Sequence, residues 1–216
     1  MRNFYEQRKA EFPVLQVELD PLRTASAFDK FLLENTPEFV WSPVFLDALG
    51  VHKITLVTTG DLNLRGLAKW NTREVHLTVP RSTRWMQNTE SSTINGLDDL
   101  SPSGVLCHEL GHHFQWQLER FIGSEELLKA FSLSPLRTAV SPYATVSVVE
   151  DFAETFRVYL SRPDLLRKHC ILRYGSMLSA EQLFEENTGV SIGSLRHVSV
   201  PFAQRVAKFA ELKKGR

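Results

Sequence analysis

Cysteine is scarce in this chain. Only Cys107 and Cys170 occur, too few for the disulfide framework on which small secreted domains depend. A single bridge between them is the second reading; the first is two free thiols, Cys107 packing like a small hydrophobe. Long apolar runs are missing as well. No stretch approaches the ~20 residues that a membrane-spanning helix needs, so no membrane association is expected. The opening Met1-Arg2-Asn3-Phe4-Tyr5-Glu6 has no apolar segment behind it and is not expected to act as a secretory signal. That leaves two expectations for location: the cytoplasm, or export by a leaderless route. Charge of one sign is not in excess either, since 25 Lys and Arg balance 25 Asp and Glu. The basic footprint of a nucleic-acid-binding protein is therefore absent. The closing Lys213-Lys214-Gly215-Arg216 is too short to change this. Internal repeats and long low-complexity stretches are absent too.

What is present is an ordinary globular composition, 43% hydrophobic and 23% charged, enough to bury a core at this length. One domain spanning residues 1–216 is expected, its first 50 residues a lead-in of loops and short helices punctuated by Pro13, Pro21, Pro37 and Pro43. Residues 24–35 read as helical, with Ala27, Phe28, Phe31 and Leu32 on one side. Residues 44–49 read as another turn or two, closed by Gly50. A β-branched strand follows at 53–59, then a hairpin of 66–70 and 73–79 around Asn71-Thr72. In its second arm Val75, Leu77 and Val79 alternate with Glu74, His76 and Thr78, the period of a half-buried strand. Residues 87–103, rich in Ser, Thr, Asn and Asp, read as a surface loop. Beyond them the chain reads as helical. Ser101 or Ser103 can cap a helix running to about Arg120, Ser147 to Leu160 forms a second strong one, and shorter helices cover 124–131, 164–170, 179–187 and 201–214. Strands first and helices later predict an α+β fold, with a small mixed or antiparallel sheet and a mainly helical C-terminal half.

The chemistry concentrates in His108-Glu109-Leu110-Gly111-His112. On a helix, residues four apart share a face, so the two imidazoles can reach one zinc ion at ~2.0–2.1 Å. Glu109, one step round, is placed to touch a water rather than the ion, the position of a general base. Gly111 permits another backbone or side chain to come close. Val105, Leu106, Leu110 and Phe114 supply the buried faces of the same helix. His113 points about 100° away from His112 and reads as a surface or supporting histidine.

A catalytic zinc usually takes three protein ligands and a water. A histidine six residues beyond His112 would extend the motif, but Leu118 stands there. Glu150 and Glu154 share one face of a helix whose other faces carry Val149, Phe152, Ala153 and Phe156. Two carboxylates on such a helix are costly unless compensated. Zinc bound by Glu150, with Glu154 orienting His108 or His112, would compensate them. Two local readings compete. Ser147-x-x-Glu150 is also a capping box, and Glu154 can pair with Arg157. Asp151 is the second choice for the ligand.

His108-Glu109-x-x-His112, followed by Tyr143 and then Glu150-x-Phe152-Ala153-Glu154-x-Phe156, resembles the anthrax-lethal-factor-like metallopeptidases, a group that includes the Pro-Pro endopeptidases. The likeness covers about 50 residues, 108–157. It implies a zincin-like metallopeptidase domain with Zn2+ held by His108, His112 and Glu150. It further implies Glu109 as general base, Glu154 as the carboxylate behind the ligands, and Tyr143 as a hydroxyl that steadies the oxyanion or protonates the leaving amine. The implied activity is endopeptidase cleavage of a protein or peptide substrate by a monomer. The alternative is an inactive or structural zinc-binding module for protein interaction. The same groups could also hydrolyse a non-peptide amide. Peptidases of this architecture hold substrate as an added strand on a sheet edge, and residues 73–79 or their hairpin partner are the candidate edge. Trp70, Trp85 and Trp116 are expected mainly as core residues, with lining of substrate pockets the second reading.

Overall fold

The computed structural model describes residues 21–57, 65–79, 97, 99–132 and 139–214. The sequence expectations for Trp85, for most of the 87–103 loop and for the first 20 residues lie outside these. Among the described residues the fold is α+β, mostly helical, with a small three-stranded mixed sheet.

The first helix, α1, runs Pro21–Asn35. Its Phe28 and Leu32 are buried, as the apolar spacing predicts. A 3-10 turn at Glu38–Trp41 and helix α2 (Pro43–Ala48) follow, and Gly50 ends this segment with a positive φ of 71°. Strands β1 (Lys53–Val57), β2 (Gly66–Lys69) and β3 (Glu74–Thr78) form a sheet of order β1-β3-β2. β3 pairs parallel with β1, Ile54 opposite Val75, and antiparallel with β2, Ala68 opposite Val75. The expected alternation holds: Val75, Leu77 and Val79 are buried, while Glu74, His76 and Thr78 are partly exposed. One expectation is corrected. Residues 73–79 cannot offer a free edge, because β3 is the central strand; among the described residues the edges are β1 and β2.

Helix α3 (Pro102–Ile122) is the axis of the fold. Ser101 caps it by accepting from the Gly104 amide at 3.1 Å, Pro102 takes the first turn, and Gly123 ends it at φ 88°. Each device satisfies or tolerates end groups that a helix leaves unpaired. Helices α4 (Ser124–Ser132), α5 (Val148–Ser161), α6 (Pro163–His169), α7 (Ile171–Thr188), α8 (Ile192–Leu195) and α9 (Phe202–Lys213) complete the C-terminal half. The α7 helix begins eight residues before the expected 179, carried through Gly175 and Ser176 by burial of Arg173 and Met177.

Helices α3 and α5 cross closely, and a stack of phenylalanines holds them. The Phe114 ring lies 4.4 Å from Phe156, 6.0 Å from Phe152 and 5.0 Å from Phe184. Aromatic rings in such contact contribute roughly 0.5–1.5 kcal/mol per pair beyond their buried area. At the crossing there is no room for a side chain on Gly111. A Cβ there would stand 2.8 Å from Ala153 Cα and 2.9 Å from its carbonyl oxygen. Both cysteines are free and buried, and burial pushes the Cys107 thiol up to about 12. Among the described residues no helix is long and apolar enough to cross a membrane.

Candidate metal centre

The α3–α5 crossing brings together side chains 46 residues apart in the chain. His108 and His112 project from α3, with their Nε2 atoms 3.1 Å apart. Glu150, in the first turn of α5, places Oε2 at 3.1 Å from His108 Nε2 and 3.4 Å from His112 Nε2. That oxygen is buried and has no well-aligned hydrogen-bond donor, while lying at ion-pair distance from both imidazoles. Ligand atoms around a tetrahedral zinc with bonds of ~2.0–2.1 Å stand about 3.3–3.4 Å apart, close to this triangle. His108, His112 and Glu150 could therefore hold a metal ion. An orphaned carboxylate oxygen facing two imidazoles fits that role.

Glu154 lies one turn along α5. It accepts a 2.7 Å hydrogen bond from His108 Nδ1, which directs Nε2 to the triangle and offers its lone pair there once the ring is neutral. The competing local reading also holds, because Arg157 donates to both Glu154 oxygens at 3.1 and 2.8 Å. Arg157 donates further to the Leu97 carbonyl at 2.8 Å. The carboxylate is therefore shared between an imidazole and a guanidinium, both almost fully buried. Ser147 caps α5 by accepting from the Glu150 amide, so half of the capping box forms. The Glu150 side chain turns instead to the histidines. Asp151 is not a ligand. It is 2% exposed and bound to Arg173 of α7.

Charge in the cluster follows from these contacts. Burial would depress the His108 imidazole, but its bonds to Glu150 and Glu154 outweigh this and raise it to about 9. Burial would raise Glu150, yet the adjoining His108 and His112 hold it at about 2. Glu154 is likewise held well below the usual carboxylate range, the His108 bond and Arg157 overcoming burial. A cation arriving here competes with the His108 proton for the same carboxylate field.

Glu109 is 6% exposed. Burial raises its carboxyl, with His108 and His112 pulling the other way. A general base works best when its pKa approaches the operating pH, so the direction suits the role. Strand β2 passes directly over it. A Cβ on Gly66 would run into the Glu109 carboxylate and stand 2.7 Å from Val105 Cγ1. Tyr143, in the 3-10 turn Tyr143–Thr145, is 49% exposed, its ring 5.6 Å from that of His108. Burial, then the charges of Glu150, Glu109 and Glu154, push its phenol upward, which keeps the proton on the oxygen.

Of the two readings of His113, a surface or a supporting histidine, the surface one is overturned. His113 is fully buried, and Nε2 donates to the Glu74 carbonyl of β3 at 3.2 Å. Burial drives it down to about 4, so the ring is a neutral pin between α3 and the sheet. The tryptophans also differ from expectation. Trp70 is 55% exposed and lies 5.9 Å from the partly exposed Trp116, so neither is a core residue.

Two cavities open from the site. One, about 520 Å³, has Leu100, Val105, Pro142, Tyr143 and Val146 in its wall. The other, about 750 Å³, runs beneath β2 towards Trp70, Gln115, Trp116 and Glu119. Sequence reasoning passed over Gln115 and Glu119. Their spacing was a usable signal, because 108, 112, 115 and 119 recur at steps of three and four residues and so share one face of the helix.

No protein-family model matches the chain, and no curated protein or solved structure does either.

Proposed function

We propose that the chain is a zinc-dependent endopeptidase, resembling the anthrax-lethal-factor-like group in its site residues. The observation that carries this is the convergence of His108 Nε2, His112 Nε2 and Glu150 Oε2 within 3.4 Å of one another, beside a buried Glu109. When bound, zinc supplies Lewis-acid chemistry, polarising a carbonyl and lowering the pKa of water. Glu109 takes the proton of the attacking water and passes it to the leaving amine. Tyr143, proton retained, donates its hydroxyl hydrogen to the oxyanion as charge develops. Glu154 holds the His108 ring in the tautomer that offers Nε2. β2, an edge among the described residues, gives an extended peptide main-chain partners. Two open cavities and an edge that is unpaired among the described residues favour a chain-like substrate over a small amide in a closed pocket.

The test is metal analysis of the purified protein, followed by peptide-library digestion with and without chelator. Stoichiometric zinc and chelator-sensitive cleavage are expected. Glu109→Ala should keep the metal and lose about 10²–10⁴-fold in turnover, whereas His112→Ala should lose both. Iron in place of zinc, or an active Glu109→Ala protein, would overturn the reading. Zinc with no cleavage of any library would favour a structural metal module.

A further inference from the structure

The larger cavity carries chemistry that peptide hydrolysis does not require. Gln115 is 5% exposed, and its Nε2 donates to Glu119 Oε1 at 2.7 Å. This fixes the amide orientation and leaves Gln115 Oε1 buried with no partner. A buried acceptor without a donor is destabilising until a donor reaches it. Beside it stand the Glu119 carboxylate and two indoles, Trp70 and Trp116, tilted 36° to each other. Among the described residues the cavity wall contains neither lysine nor arginine. Arg120, outside that wall, already places its guanidinium 5.2 Å from the Trp116 ring.

We infer that this cavity is a recognition subsite for a cationic side chain, arginine before lysine, on a peptide lying across the site. The inference rests on the endopeptidase reading and adds to it the chemistry of the substrate. The wall offers oxygen acceptors, one of them anionic, and aromatic faces. The complementary group is a planar cation with several N–H donors. A guanidinium stacks on indole and donates to two oxygens at once, while an ammonium is a compact, strongly hydrated point charge. Gly66, Leu67 and Ala68 of β2 line the same cavity as Glu109. A strand added along β2 therefore carries alternate side chains past the site, one of them into this pocket.

The experiment reads binding, so it does not depend on turnover. Full-length Glu109→Gln protein is titrated by tryptophan fluorescence with the amidated tripeptide Ala-Arg-Ala. The counterparts carry lysine or citrulline, the neutral isostere of arginine, at the centre. The arginine peptide should bind at least about tenfold more tightly than the citrulline one, with lysine between them. Glu119→Gln should bring arginine down to the citrulline level, and Glu119→Lys should favour a central glutamate. Equal affinities in the parent protein, or discrimination that survives both Glu119 variants, would overturn the subsite. A parallel digest with the wild-type chain separates the two ideas. Discrimination without cleavage keeps the subsite and sinks the peptidase, and cleavage blind to charge does the reverse.

Discussion

Gly111→Ala tests whether the helix crossing sets the metal geometry. The added Cβ would sit 2.8 Å from Ala153 Cα and 2.9 Å from its carbonyl oxygen, about 0.7 Å inside the ~3.5 Å at which two carbons rest. The atoms it meets are main chain, so no rotamer change relieves the contact, and α5 must move off α3 by a comparable distance. Metal–ligand bonds tolerate only about 0.2 Å. The displacement exceeds that several-fold and falls on Glu150, since both histidines stay with α3. Overpacking should cost roughly 1–3 kcal/mol of stability, offset by about 1 kcal/mol from replacing a helical glycine with alanine. Zinc affinity should fall by about 10–100-fold, the range seen when the supports behind a ligand are lost. Competition against a chromophoric chelator reads the affinity, and urea unfolding of the stripped protein reads the stability. Gly111→Ala/Ala153→Gly should not recover binding, because the Ala153 methyl is not what is struck. Affinity unchanged from the parent in Gly111→Ala would refute the argument.

Glu154→Gln should reduce zinc affinity by about 10–100-fold and, by leaving the buried Arg157 with a neutral partner, cost about 3–5 kcal/mol in urea unfolding; a drop in neither would remove its supporting role. Gly66→Ala should keep the metal but lose turnover, because its methyl displaces Glu109; retained cleavage with intact zinc would contradict that placement. His113, near 4 when folded against 6.5 when unfolded, binds fewer protons folded than unfolded between those values. Its contribution is thus present above about pH 6.5 and lost as pH falls towards 4, about 3 kcal/mol in all. Urea unfolding of parent and His113→Gln across pH 4–7 should show the parent falling more steeply, and parallel curves would dismiss the assignment. Because His108 is held up near 9, zinc must displace a proton from it below that pH. Apparent affinity should climb up to tenfold per pH unit from 7 to 9 in the chelator assay, and a flat profile would count against proton competition.

The sequence was most informative where the physics is local. The i, i+4 spacing of His108 and His112 puts both rings on one face in any helix, and Ser101 and Ser147 mark their helix starts by the hydrogen bonds they make. Glu150 and Glu154 were legible because carboxylates on an apolar helix demand a partner. What stayed hidden is non-local. His113 is buried by a carbonyl 39 residues earlier, and no periodicity within α3 reports that. Strand order was equally out of reach. Period-2 patterning identifies β3 as half-buried but not that β1 pairs on its far side. Trp70 was misjudged because a large aromatic is usually buried, whereas here the hairpin end holds it outward against Trp116.

Every atom of the donor triangle comes from α3 and α5, and the phenylalanine stack that clamps these helices contains no residue of the sheet. β2 contributes a roof and a wall but no ligand. The donor set and the sheet edge above it are thus built on separate parts of the backbone. Substitutions at residues 67–70 can therefore reshape that wall without moving a donor atom, so variation among descendants of this scaffold should accumulate there sooner than in the two-helix clamp or at Gly66.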